Sequence, residues 1–249
     1  MSKSPEIVAA VILAVSVAGI GTAAETESPS SEKAESETQA EPGVSAPPPP
    51  KAGRVVYKPP GVGQPARTIG GGSRGVAQVI PAVFAIAPDH VGRTASAQPT
   101  LFWSIDRVPP EGSHVEFSLI DGDSIDPTLE LELPAPDRAG LHRIALGDHG
   151  VSLDPGVEYQ WSVALVLDPN ERSKDVVATG WIDRREPSPD AAASLGRATA
   201  ADYAEAGFFY DALSTLSDEI ERDPSNAELR QVRSDLLEQV GLGEAASGS

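Results

Sequence analysis

Val157-Glu158-Tyr159-Gln160-Trp161-Ser162-Val163-Ala164-Leu165-Val166-Leu167 is the longest alternating run in the chain, with Tyr159, Trp161, Val163, Leu165 and Leu167 on one face and Gln160, Ser162, Ala164 and Val166 on the other. Successive side chains of an extended strand point to opposite sides, so a period of two reads as a strand buried on one face and not as a helix, whose repeat is 3.6. The pattern recurs upstream. Thr128-Leu129-Glu130-Leu131-Glu132-Leu133 sets three leucines against two carboxylates, and Val115-Glu116-Phe117-Ser118-Leu119 alternates in the same way. Runs bounded by Pro, Gly and Asp extend the pattern to about seven strands, near residues 83–86, 100–105, 114–120, 128–133, 141–146, 157–167 and 176–182.

Seven short strands over residues 83–185 predict a mainly β domain, an immunoglobulin- or fibronectin type III-like sandwich of antiparallel strands. An up-and-down barrel is the rival, because alternation does not fix sheet order. Leu153-Asp154-Pro155-Gly156-Val157-Glu158-Tyr159 is spaced like a tyrosine corner, in which the phenol bonds back to the chain and pins the start of a strand. Trp103 and Trp161 are expected in the core.

Beyond Arg185 the alternation stops, and residues 186–242 read as a short helical tail of three helices starting at the cap Ser188-Pro189-Asp190. Tyr203, Gly207, Phe209, Ala212, Leu216 and Pro224 match the spacing of one tetratricopeptide repeat, although Gly196 and Thr199 stand where large apolar residues are usual. Ser225-Asn226-Ala227-Glu228 has the capping-box pattern and opens a last helix that ends at Gly241. One repeat is too few for a solenoid groove, so the tail is expected to cover an edge or end of the sandwich or to dock on a second copy. A partner-binding hairpin is the competing role. Residues 243–249 are read as disordered.

At the other end, Ile7 to Ile20 is an unbroken apolar or small run followed by Thr22-Ala23-Ala24 and then acidic sequence. Residues 1–24 therefore read as a signal peptide, with an uncleaved anchor as the alternative, and the body is expected in the periplasm or secreted. Residues 25–53, with Pro47-Pro48-Pro49-Pro50, read as a disordered acidic and proline-rich linker. The chain has no cysteine, which removes disulfides, thiolate metal sites and a catalytic thiol. Its net charge of -18 repels nucleic acid phosphates and anionic membranes, so no nucleic acid is expected, and membrane only through an uncleaved signal segment.

Residues 54–82 form a basic Gly-rich segment expected to pack on the sandwich. Tyr57-Lys58-Pro59-Pro60 and Gln64-Pro65-Ala66-Arg67-Thr68-Ile69-Gly70-Gly71-Gly72-Ser73-Arg74-Gly75 resemble the bacterial family called domain of unknown function 928. Gln98-Pro99-Thr100-Leu101-Phe102-Trp103, Val115-Glu116-Phe117-Ser118-Leu119, Tyr159-Gln160-Trp161-Ser162 and Gly180-Trp181-Ile182-Asp183-Arg184 are similar to its other blocks, over roughly residues 55–215. The resemblance implies an exported protein and no reaction.

The glycines with Arg67 and Arg74 invite an anion-binding reading, but a phosphate loop needs Lys followed by Ser or Thr after them, and neither that spacing nor a strand-to-helix context is present. A turn whose arginines pair with acidic residues of the sandwich is the plainer reading. His90, His114, His142 and His149 are scattered, with none at helical metal-ligand spacing. Asp121-Gly122-Asp123-Ser124-Ile125-Asp126 is the best candidate for Ca²⁺ but lacks the glycine placement and terminal Glu of an EF-hand, so a solvated loop is expected. No nucleophile elbow occurs. The sequence thus points to a non-enzymatic, cofactor-free interaction or envelope-associated module that contacts another extracytoplasmic protein, with Arg67, Arg74, Phe208 and Tyr210 as its candidate surface. A glycan- or small-ligand-binding domain is the alternative.

Overall fold

The computed structural model describes residues 55–60, 80–122, 124–187 and 198–243, all within one unit, Pro49–Ser249. The signal and linker segments, Arg67, Arg74, the cap at Ser188-Pro189-Asp190 and residues 244–249 lie outside the described residues. Each expected strand forms: β1 (Val83–Ala85), β3 (Thr100–Ile105), β4 (His114–Asp121), β5 (Leu129–Pro134), β6 (Gly140–Ala145), β7 (Glu158–Val166) and β8 (Val176–Arg184). An eighth, β2 (Gly92–Thr94), was not anticipated: Gly-Arg-Thr has no alternation, and it is a strand only because β8 lies beside it, in parallel.

The strands form two sheets, β1-β3-β6 and β2-β8-β7-β4-β5. All pairings but β2 with β8 are antiparallel. The register explains the alternation. Leu119 pairs with Trp161, Phe117 with Val163 and Val115 with Leu165, so the apolar face of β4 continues that of β7, and all six residues are buried. In β3 every residue from Leu101 to Ile105 is buried, because one face meets the core and the other lies under the helices. Trp103 and Trp161 are core residues as expected. The Asp154 N–H donates to the Tyr159 phenolic oxygen at 3.2 Å, the back-bond of a tyrosine corner.

Among the described residues three helices follow: α1 (Ala200–Glu205), α2 (Phe209–Arg222) and α3 (Ala227–Gln239). Thr199, out of place in the repeat pattern, is the N-cap of α1, where its Oγ1 accepts from the Asp202 N–H and the Asp202 carboxylate accepts from the Thr199 N–H. These bonds hold the Asp202 carboxyl below the usual carboxylate range. The cap of α3 falls one residue later than expected. Asn226 accepts from the Leu229 N–H, while Ser225 Oγ is spent on Asp223. Gly241, at φ +73°, turns the chain out of the helix, as a left-handed position after a C-cap requires.

The described part of the 54–82 segment packs on the tail and not on the sandwich alone. Val55 and Tyr57 are buried, Lys58 N–H donates to the Ala204 carbonyl, and Gln239 of α3 both accepts from Tyr57 N–H and donates to the Val55 carbonyl. Among the described residues no helix is long and apolar enough to cross a membrane.

Candidate functional site

Two of the four residues expected on an interaction surface are inside the protein. Phe208 is buried where α2 begins, and Tyr210 is 1 % exposed. The Trp161 indole N–H donates to the Tyr210 hydroxyl at 3.1 Å, and that hydroxyl donates to the Trp181 carbonyl at 2.9 Å. Burial pushes the phenol well above its ordinary titration range, so it stays a donor. Gly92 makes room for this latch, since a β-carbon there would lie 2.6 Å from the Tyr210 ring. Next to it the Asp211 carboxylate accepts from the Ala95 N–H at 3.0 Å, fastening α2 to the loop after β2, although burial holds its carboxyl above the usual carboxylate range. Tyr57 packs edge-on to Phe209 and stacks on His90, whose Nδ1–H is directed at Asp89 and whose Nε2 accepts from the Tyr57 hydroxyl at 2.8 Å. The tail is therefore a docked cover of the sandwich, and the aromatic pair offered by the sequence is part of the seam.

The seam leaves a groove of about 460 Å³ between β6 and the helices. Phe102, Leu141 and Ile220 are its apolar lining, and Arg138, Arg143 and Arg233 its cations. Arg143 reaches Asp218 and Glu221, each at 3.1 Å, whereas among the described residues Arg138 and Arg233 have no carboxylate partner. His142 lines the same groove, stacked on Trp103 with ring centroids 4.8 Å apart and with Nε2–H donating to the Arg138 carbonyl. Burial disfavours its imidazolium and lowers its pKa from 6.5, against the pull of that carbonyl. The unfolded chain takes up this proton near 6.5 and the folded one only at lower pH, so the stabilisation is present above 6.5 and is lost as pH falls from there through the folded value. Denaturant midpoints should fall more steeply between about pH 7 and about pH 5 in the native chain than in His142→Gln; parallel slopes would show that the imidazole is solvated.

A second surface lies on the outer face of the five-stranded sheet. Glu116 on β4 accepts from Arg172 through both oxygens, at 2.7 and 2.5 Å, which lowers its pKa. Beside it Glu130 and Glu132 of β5 are exposed and, among the described residues, have no partner, above a floor of Ser118, Ser162 and Ala164. Among the described residues β5 pairs only with β4, which leaves its other edge without a neighbouring strand there.

The remaining sequence candidates do not converge. His114 sits 3.4 Å from Glu116, His149 is exposed, and Asp123 of the acidic loop lies outside the described residues. Among the described residues no three His, Cys, Asp or Glu gather to hold a metal. The arginine groove was beyond reach of sequence reading, because its cations come from the loop before β6, from β6 and from α3, with no motif to link them.

A family model described as Domain of Unknown Function (DUF928) matches residues 69–249. The match includes the Ile69 to Gly75 part of the glycine block and the whole helical tail, and begins after Tyr57-Lys58-Pro59-Pro60. No curated protein and no solved structure matches the chain.

Proposed function

We propose, on the premise that this chain belongs to the DUF928 family, that it is an exported, non-enzymatic interaction module whose contact surface is the acidic face and open edge of β5. The observation that carries the reading is a pair of carboxylates, Glu130 and Glu132, that have no partner among the described residues and stand beside a strand edge that no described strand pairs. Such an edge accepts an added strand through main-chain hydrogen bonds, and the carboxylates select a basic one. The partner is thus a basic segment of another extracytoplasmic protein. The floor of small residues, Ser118, Ser162 and Ala164, leaves room for its side chains.

We read the sandwich as immunoglobulin- or fibronectin type III-like. In support, β1-β3-β6 facing β8-β7-β4-β5 parallels the A-B-E and G-F-C-C′ sheets of such domains, and the Tyr159 back-bond sits where their tyrosine corner does. The tetratricopeptide spacing fits a helical pair closed on itself, since Phe209, Ala212 and Leu216 are all buried.

A photo-crosslinking residue at position 130 in living cells should capture a specific protein, and Glu132→Lys should abolish the adduct while one at Glu111 gives none. Equal capture from both positions, or none from 130, would remove this surface from consideration. Mass spectrometry tests export separately: a soluble cytosolic species retaining Met1 would refute it. The alternative, a small-ligand-binding domain, is favoured by the groove at β6.

A further inference from the structure

We propose that the groove between β6 and helices α2 and α3 binds an amphipathic organic anion, with its carboxylate or phosphate head between Arg138 and Arg233 and its apolar body over Phe102, Leu141 and Ile220. Among the described residues neither Arg138 nor Arg233 has a carboxylate partner, so the groove presents two uncompensated guanidinium groups beside an apolar wall. Arg143, on the same wall, pairs with Asp218 and Glu221, which cancels the charge Glu221 would present to an incoming anion.

Arg233 is half-buried, and burial together with the nearby Arg230 lowers the pKa of its guanidinium, the signature of a cation that lacks its counter-charge. A second feature is independent of charge. Ser217 is 4 % exposed, lines the groove, and has a buried hydroxyl with no hydrogen-bond partner. Buried hydroxyls are nearly always paired, and a ligand oxygen at this wall would pair it. The cations, the orphan hydroxyl and the apolar lining together require a head with oxygen acceptors and a hydrocarbon body. At about 460 Å³ the groove is of the size that holds small ligands, and a guanidinium fork matches either oxyanion. This site is separate from the β5 surface and does not depend on it.

Calorimetric titration of the full chain with octanoate, octyl phosphate, inorganic phosphate and octyl glucoside tests the assignment. One of the octyl anions should bind, and the tighter of the two identifies the head. Inorganic phosphate and the uncharged glucoside should bind far more weakly or not at all. Arg233→Gln should weaken the octyl anion by about tenfold or more, with partial recovery in Arg233→Lys, and Arg138→Gln should act in the same direction. Absence of binding by both octyl anions, equal binding by the glucoside or by inorganic phosphate, or an affinity indifferent to both arginine substitutions would overturn it.

Discussion

Tyr210→Ala is expected to destabilise the protein by about 3–5 kcal/mol, the cost of emptying a buried aromatic site. The side chain is 1 % exposed, and its hydroxyl joins two strands of the five-stranded sheet to the first turn of α2 through Trp161 on β7 and Trp181 on β8. Tyr210→Phe isolates the hydroxyl. It keeps the ring but leaves the indole N–H of a fully buried tryptophan without its acceptor, for which about 1–3 kcal/mol is expected. Equilibrium denaturation followed by tryptophan fluorescence measures both. A midpoint unchanged in Tyr210→Phe would mean that water replaces the phenol, and a loss below about 1 kcal/mol in Tyr210→Ala would mean that the tail is not docked. By the same geometry, truncation after Arg185 should lower the melting temperature of the sandwich as well, because it uncovers the face of β3 that carries Phe102.

Gly180→Ala is the second large effect, at about 1–3 kcal/mol, and it arises from too much side chain instead of too little. Gly180 lies opposite Trp161 in the β7–β8 register, and a β-carbon there would stand 2.7 Å from Trp161 Cε2 and 2.8 Å from Ala87 Cβ. Neither neighbour yields easily: one is a flat ring held by its bond to Tyr210, and the other is fixed to the backbone. Combining Gly180→Ala with Trp161→Leu should cost less than the sum of the two, because the smaller side chain vacates the space the methyl needs. Simple additivity in that cycle would assign the cost of Gly180→Ala to some other cause.

The strands were readable residue by residue. Alternation in 115–119, 128–133 and 157–167 became β4, β5 and β7, since burial of one sheet face imposes period two wherever the face is continuous. β2 was not readable, because Gly92-Arg93-Thr94 is short and offers no apolar residue to mark a buried face. The candidate sites fared differently. Phe208 and Tyr210 looked like contact residues because large aromatics at the start of a helix have no local signature of being covered; what covers Tyr210, β2 and β8, is more than 25 residues away in the chain. Arg138 and Arg233 carried no signal at all, since a cation's lack of a partner is a fact about space and not about spacing.

Local periodicity by itself determined that this is a β protein with a helical tail, which residues of β4, β5 and β7 face inward, and that Trp161 and Tyr159 belong to the core: the free energy of burying an alternating face is set by adjacent residues. Only the tertiary structure decided the order of the strands, the use of both faces of β3 and the sealing of the seam by Tyr210. It alone also left two arginines and a serine hydroxyl unpaired around one groove. Those are pairings between residues far apart in the chain, settled by packing and by the competition for hydrogen-bond partners, and no local pattern encodes them.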